Sequence, residues 1–187
     1  MKVLGICASP RHNGNAHILL ENILKEFSGS GYEKEFIQIS DYKINPCREC
    51  GGCDSTGKCV VDDDMQKIYP KLVNCNILII SSPIFFGGLT SNIKAMIDRC
   101  QCLWIKKYIL KKRVSEISGR QGGFISICGG KQDFFVCAAK SVKTFFATLD
   151  ISYCSELFFF EVDKKEDILK KEDMPHKLKE FKERFEL

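Results

Sequence analysis

No apolar run in these 187 residues approaches the ~18 residues a membrane-spanning helix needs. The stretch MKVLGICASPRHNGN is apolar too briefly for a secretory leader, and charge follows at once. Charge of one sign is also missing. Twenty-eight Lys and Arg stand against 24 Asp and Glu, and the net is only +4. The cations are densest in the last quarter, where Glu and Asp interleave with them, so no one-sign face for nucleic acid is expected. Only three histidines occur, His12, His17 and His176, and none has the neighbours of a triad or a metal set. Three signatures are absent: G-x-G-x-x-G after a strand, G-x-x-x-x-G-K-[ST] and H-E-x-x-H. Their absence argues against a dinucleotide fold, a P-loop and a zinc protease. There is no linker-like stretch and no internal repeat, so one domain over residues 1–187 is expected. A chain of this length buries roughly 70% of its unfolded surface and needs no disulfide staples.

What is abundant is cysteine, with 11 in all. An odd count, without a leader, points to a reducing compartment, and the expected location is the cytoplasm. Four of the cysteines fall in one polar, glycine-rich stretch, PCRECGGCDSTGKC, at Cys47, Cys50, Cys53 and Cys59. Gly51 and Gly52 let the backbone curl, so the thiols can converge on one small object. A cubane 4Fe–4S cluster needs four thiolates from a closely wrapped backbone, and Arg48 and Lys58 are the cations expected to stabilise them. Zinc is less well matched, because structural zinc sites usually take two separated C-x2-C hairpins. A loop that binds nothing also stays open. The other seven cysteines sit mostly in apolar surroundings and read as buried thiols. Cys128 is the exception, because it lies at a strand end.

Five short apolar runs read as strands: Lys2–Ala8, EKEFIQIS, Asn76–Ser82, GGFISICGG and Ile151–Val162. Helical periodicity covers Ala16–Phe27, the MQKIYPKLVNC segment behind Asp62, Asp63 and Asp64, Ser91–Ile105 and Phe134–Leu149. A charged helical tail from about residue 164 carries Leu178, Phe181 and Phe185 on one stripe, with a break expected at Pro175. Near-continuous apolar strands alternating with helices predict an α/β fold. The expected form is a five-stranded parallel sheet of the flavodoxin-like kind, with helices on both faces. Ligands of such sheets bind at the strand C-terminal ends.

Three loops follow strand ends. Ser9-Pro10-Arg11-His12-Asn13-Gly14-Asn15 runs straight into a helix, whose N-terminus is a ready anion site. Ser81-Ser82-Pro83-Ile84-Phe85-Phe86-Gly87-Gly88-Leu89 offers two aromatics as an apolar wall. Cys128-Gly129-Gly130-Lys131 lets a ligand approach the backbone. A phosphate cradle, a ring wall and a close-approach turn at one sheet edge suit a mononucleotide with a large planar base.

SPRHNGN resembles the phosphate loop SPRxxGN of the NAD(P)H-dependent FMN reductase group of flavodoxin-like proteins. SPIFFGGLTSNIKAMIDR is similar to that group's flavin-bordering segment. The cysteine run followed by VVDDDM resembles the compact motif of its iron–sulfur flavoprotein branch. The resemblance covers Lys2 to about Val162. It implies an FMN-dependent oxidoreductase that takes electrons from NAD(P)H or a redox partner protein and assembles as a homo-oligomer. By matching position, Ser9, Arg11, Asn13 and Asn15 would hold the FMN phosphate. Pro83, Ile84, Phe85, Phe86 and Gly87 would border the ring, and Gly129 and Gly130 would pass near it. Ala16 stands where the group often has a hydroxyl, and Phe85 where Tyr is common. Asp98 and Arg99 are expected to be structural. No catalytic side chain is implied, since the chemistry is the flavin's.

Overall fold

A computed structural model of the chain describes residues 1–130 and 132–185, so Lys131 of the third loop lies outside them. Five strands alternate with helices: β1 (Lys2–Cys7), α1 (Asn15–Glu26), β2 (Glu33–Gln38), α2 (Met65–Asn74), β3 (Ile77–Pro83), α3 (Ser91–Arg99), α4 (Gln101–Trp104), β4 (Gln121–Ile127), α5 (Val136–Thr148), β5 (Ser152–Phe159) and α6 (Met174–Glu183). All four strand pairings are parallel, in the order β2-β1-β3-β4-β5. This is the flavodoxin-like sheet expected.

Period-2 alternation explains the continuous apolar runs. Leu4, Ile6, Leu78 and Ile80 face a core shared with α2, α3 and α5. Val3, Cys7, Ile77 and Ile79 face the opposite core, shared with α1 and α6. Both faces are covered, so the central strands β1, β3 and β4 are buried on both sides, while the edge strands β2 and β5 stay partly polar. Polar chemistry is thereby pushed to the strand ends.

Two expectations are corrected. Pro175 does not break a helix; it sits in the first turn of α6, where its missing N–H costs nothing. The helix predicted through Ile105 is divided. α3 ends at Arg99, α4 follows, and Ile105–Ile109 continues as a wider π-type turn. The Leu178, Phe181 and Phe185 stripe is buried against its own sheet. A Cβ at Gly123 of β4 would lie 2.4 Å from the Phe181 ring and 2.9 Å from that of Phe185. The glycine is what allows the tail to seat. Gly123→Ala is therefore expected to cost about 1–3 kcal/mol by overpacking. Urea denaturation measures this, and an unchanged midpoint would show that the tail does not press on β4.

Candidate functional site

The sheet order changes direction between β1 and β3, and the loops after these two strands lie side by side. Ala8 N–H donates to Ser81 O at 2.7 Å, and Thr90 Oγ1 donates to Ala8 O at 2.7 Å. Between the loops opens a cavity of about 210 Å³. Ser9, Arg11, His12, Gly14, Asn15 and Ala16 line one end, where α1 begins. No side chain caps this helix, so its first-turn N–H groups are left for a ligand. Pro83, Ile84, Phe85, Ile127 and Val162 form the apolar part, and Cys128 and Gly129 pass beside it.

The structure sorts the predicted residues. Ser9, Arg11, Asn15, Ala16, Pro83, Ile84, Phe85 and Gly129 line the cavity. Asn13, Phe86, Gly87 and Gly130 do not. Asn13 is exposed in the left-handed region, φ 53°, and turns the loop into α1. Phe86 and Gly87 form the tip of a two-residue turn closed by paired hydrogen bonds of 3.0 Å between Phe85 and Gly88. Phe86 adopts φ 50° there, with its ring wholly in solvent, so only one of the two aromatics makes a wall. Gly130 lies under the Phe134 ring, 2.8 Å from where its Cβ would be. Asn15 is placed as expected, but its carboxamide is committed. Its Nδ2 donates to Lys164 O at 2.8 Å, and its Oδ1 accepts from Ile168 N–H at 3.3 Å. What it has left for a phosphate is its main-chain N–H.

Asp163 and Lys165 were missed. They follow β5, which ends at Phe159 rather than Val162, so the chain emerges earlier and reaches the cavity. The strand-end rule that found the other loops would have found this one too.

A second cavity, of about 330 Å³, is lined by Cys47, Cys50, Cys53 and Cys59 together, with Arg48, Arg99 and Cys102 also on its wall. Cys47 and Cys50 are exposed, while Cys53 and Cys59 are half-buried. Gly51 takes φ 70°, and Gly52 packs so closely on Val60 that its Cβ would sit 2.5 Å from Cγ2. The loop is curled as its glycines predicted.

The buried cation here is neither Arg48 nor Lys58, both of which are exposed; it is Arg99, 1% exposed. Its Nη1 donates to Asp63 Oδ2 at 2.6 Å and to Asn45 O at 2.9 Å, and its Nη2 donates to Val61 O at 3.2 Å. Asn45 precedes Cys47 and Val61 follows Cys59, so one guanidinium ties both roots of the loop. Asp63 also accepts N–H bonds from Asn45 at 2.9 Å and Met65 at 3.0 Å, at the N-terminus of α2. Burial alone would raise the Asp63 pKa. Donation from Arg99, Asn45 and Met65 outweighs it and holds the carboxyl below its ordinary value. Burial likewise pushes the Cys59 thiol up, but Val61 N–H, the Tyr69 hydroxyl and Arg99 outweigh it and favour the thiolate. Burial pushes the Cys128 thiol above its ordinary value.

A cavity with an uncapped helix N-terminus and an apolar wall, at the switch point of a doubly wound parallel sheet, marks a flavodoxin-like protein. The chain belongs to the NADPH-dependent FMN reductase family, whose model matches residues 1–165. It is 36% identical over 126 residues to an iron-sulfur flavoprotein of Methanocaldococcus jannaschii, covering 66% of this chain and 65% of that protein. It is 41% identical over 99 residues to an iron-sulfur flavoprotein of Archaeoglobus fulgidus, covering 53% and 45%. The matches thus span about two thirds or less of these relatives' lengths. An NAD(P)H:quinone oxidoreductase of Methanothermobacter marburgensis superposes with a TM-score of 0.71 at 13% identity, over 96% of this chain and 93% of that one. At that identity the likeness is one of fold.

A depressed Asp63 contributes stability while charged and loses it as pH falls from the ordinary carboxylate value of 3.8 through its lower folded value. Wild type should therefore lose more stability than Asp63→Asn between about pH 6 and about pH 3, as read from urea midpoints. Parallel pH profiles would show that the pair contributes nothing.

Proposed function

We propose that this protein is an FMN-dependent oxidoreductase carrying one 4Fe–4S cluster per chain, with NAD(P)H or a redox protein as its electron source. The observation that carries the reading is the cavity at the β1/β3 switch point, where an uncapped helix N-terminus and an apolar wall share one opening. FMN supplies hydride and single-electron chemistry when bound, and a cluster supplies single-electron chemistry alone.

The residues divide the work. Ser9, Arg11 and the first-turn N–H groups of α1 hold a phosphate, with Lys165 as a second cation. The Ser9 Oγ accepts from Arg11 N–H at 3.0 Å and donates to Arg11 O at 3.1 Å, so its proton must turn from that carbonyl to reach a phosphate. The Ser9 carbonyl accepts from the Gln38 amide, which ties the loop to β2. Pro83, Ile84, Phe85 and Gly129 border the ring. The cavity is smaller than the roughly 300–1,000 Å³ that engulfs a ligand. A ring edge is therefore left at the surface, where a nicotinamide or a redox protein can reach it.

The cysteine cavity fits a cluster better than a single ion. All four thiols line one space, and among the described residues no three His, Cys, Asp or Glu side chains converge closely enough for one metal ion. A cubane spreads its four ligands wider than a zinc ion does. The flavin and cysteine cavities share no lining residue. A groove between α3–α4 and α5 reaches Cys47, so a second copy docked there would lie beside the cluster loop. In this reading the assembly is a homo-oligomer in which electrons pass between chains. No helix among the described residues is long and apolar enough to cross a membrane, which is compatible with a cytoplasmic protein.

Arg11→Ala should weaken FMN binding by about 10–100-fold, the value of one charge-assisted hydrogen bond, as read from fluorescence quenching on titration. Unchanged affinity would remove Arg11 from the phosphate site, and no FMN binding by wild type would end the functional reading. Cys53→Ala, purified without air, should lose iron and acid-labile sulfide while keeping FMN. Retention of both would end the cluster reading.

A further inference from the structure

Arg99 is the buried cation on the wall of the cysteine cavity. Asp63 and Asn45 O take Nη1 and Val61 O takes Nη2, and the Cys59 thiol also lies beside the guanidinium. Of the donors left, Nε–H is buried and makes no hydrogen bond. A guanidinium offers five N–H donors in a fixed plane, so this one cannot turn away to find another acceptor. Leaving a buried donor unmade costs about 1–3 kcal/mol, and native structures rarely tolerate it without a reason. The carboxylate and both carbonyls are already engaged, and the Cys59 sulfur is the acceptor that lies beside the guanidinium.

We infer that Arg99 donates its Nε–H to the Cys59 sulfur when Cys47, Cys50, Cys53 and Cys59 bind a cluster, and so sets the cluster's reduction potential. The inference rests on the cluster reading above. Cluster potentials are set by net charge, by hydrogen bonds to the sulfurs and by solvent exposure, and a buried Arg99 supplies the first two at once. Reduction adds an electron to an anionic group. A fixed cation and an N–H donor stabilise the reduced state more than the oxidised one, so both raise the potential. Arg48 is on the same wall but exposed, where solvent and salt screen its charge. Arg99 is therefore a positioning and tuning residue as well as a clamp.

The test compares wild type, Arg99→Lys and Asp63→Asn, all purified without air, for iron, sulfide and FMN content and for the cluster and flavin midpoint potentials. Lysine keeps a charge but loses the planar fork, and its ammonium is claimed by Asp63 and the two carbonyls. Arg99→Lys is expected to keep iron and FMN. Its reduction equilibrium should shift at least tenfold toward the oxidised cluster, about 59 mV for one electron, while the flavin potential does not move. Asp63→Asn loosens the same clamp but leaves Nε–H in place, and should not lower the cluster potential. Three results overturn the inference: an unmoved cluster potential in Arg99→Lys, an equal fall in Asp63→Asn, or loss of iron from Arg99→Lys with FMN retained, which makes Arg99 a clamp alone. Iron-free wild type would instead sink the cluster reading itself. The otherwise intact chain gives an independent readout. With isotope-labelled arginine nitrogen on an Arg48→Lys background, pulsed EPR of the reduced cluster should show an arginine nitrogen coupling. No coupling would also overturn the inference.

Discussion

The parallel pairing of β1 with β3 is the constraint from which the rest of this structure follows. It joins strands that are not consecutive in the chain, so their outgoing loops are brought together without any local preference of their own. One loop leads into α1 and leaves that helix uncapped; the other carries Pro83, Ile84 and Phe85. Because helices cover both faces of the sheet, the central strands β1, β3 and β4 are buried nearly throughout, and polar groups collect at this edge. A phosphate at the helix start and a ring against the apolar loop can thus belong to one ligand.

The cysteine loop is held differently. It has no strand or helix of its own and depends on a buried ion pair beneath it. Replacing such a pair by apolar residues is often neutral, but removing one partner costs about 3–5 kcal/mol, because a charge is then stranded. Arg99 and Asp63 are therefore best understood by what they arrange. They fix Asn45 and Val61, and with them the two ends of the chain carrying the four thiols. A polar loop gains a defined shape from a group that belongs to α3.

Much of this was legible in the sequence. The apolar runs and helical periodicities announced the sheet, and Ser9 to Asn15 announced the loop that leads into α1, because those signals are local. What was hidden depended on tertiary placement. Asn13 and Asn15 belong to the motif, but only the fold shows that one turns the loop and the other ties α1 to the segment after β5. Phe85 and Phe86 look alike as neighbours, yet a tight turn sends one to the cavity and the other to solvent. Arg48 and Lys58 lie among the cysteines and look like their cations. The buried cation comes from a position 40 residues beyond Cys59, through a helix end that periodicity ran past. Pro175 reads as a breaker until the start of α6 is known.

The central claim is that one chain carries a flavin in the switch-point cavity and a cluster in the cysteine cavity. The most direct measurement is an anaerobic reductive titration of the protein purified without air, with electrons counted per chain as flavin and cluster absorbance bleach. A two-electron flavin with a one-electron cluster predicts about three electrons per chain. An end point at about two electrons, with flavin bleaching only, would contradict the account.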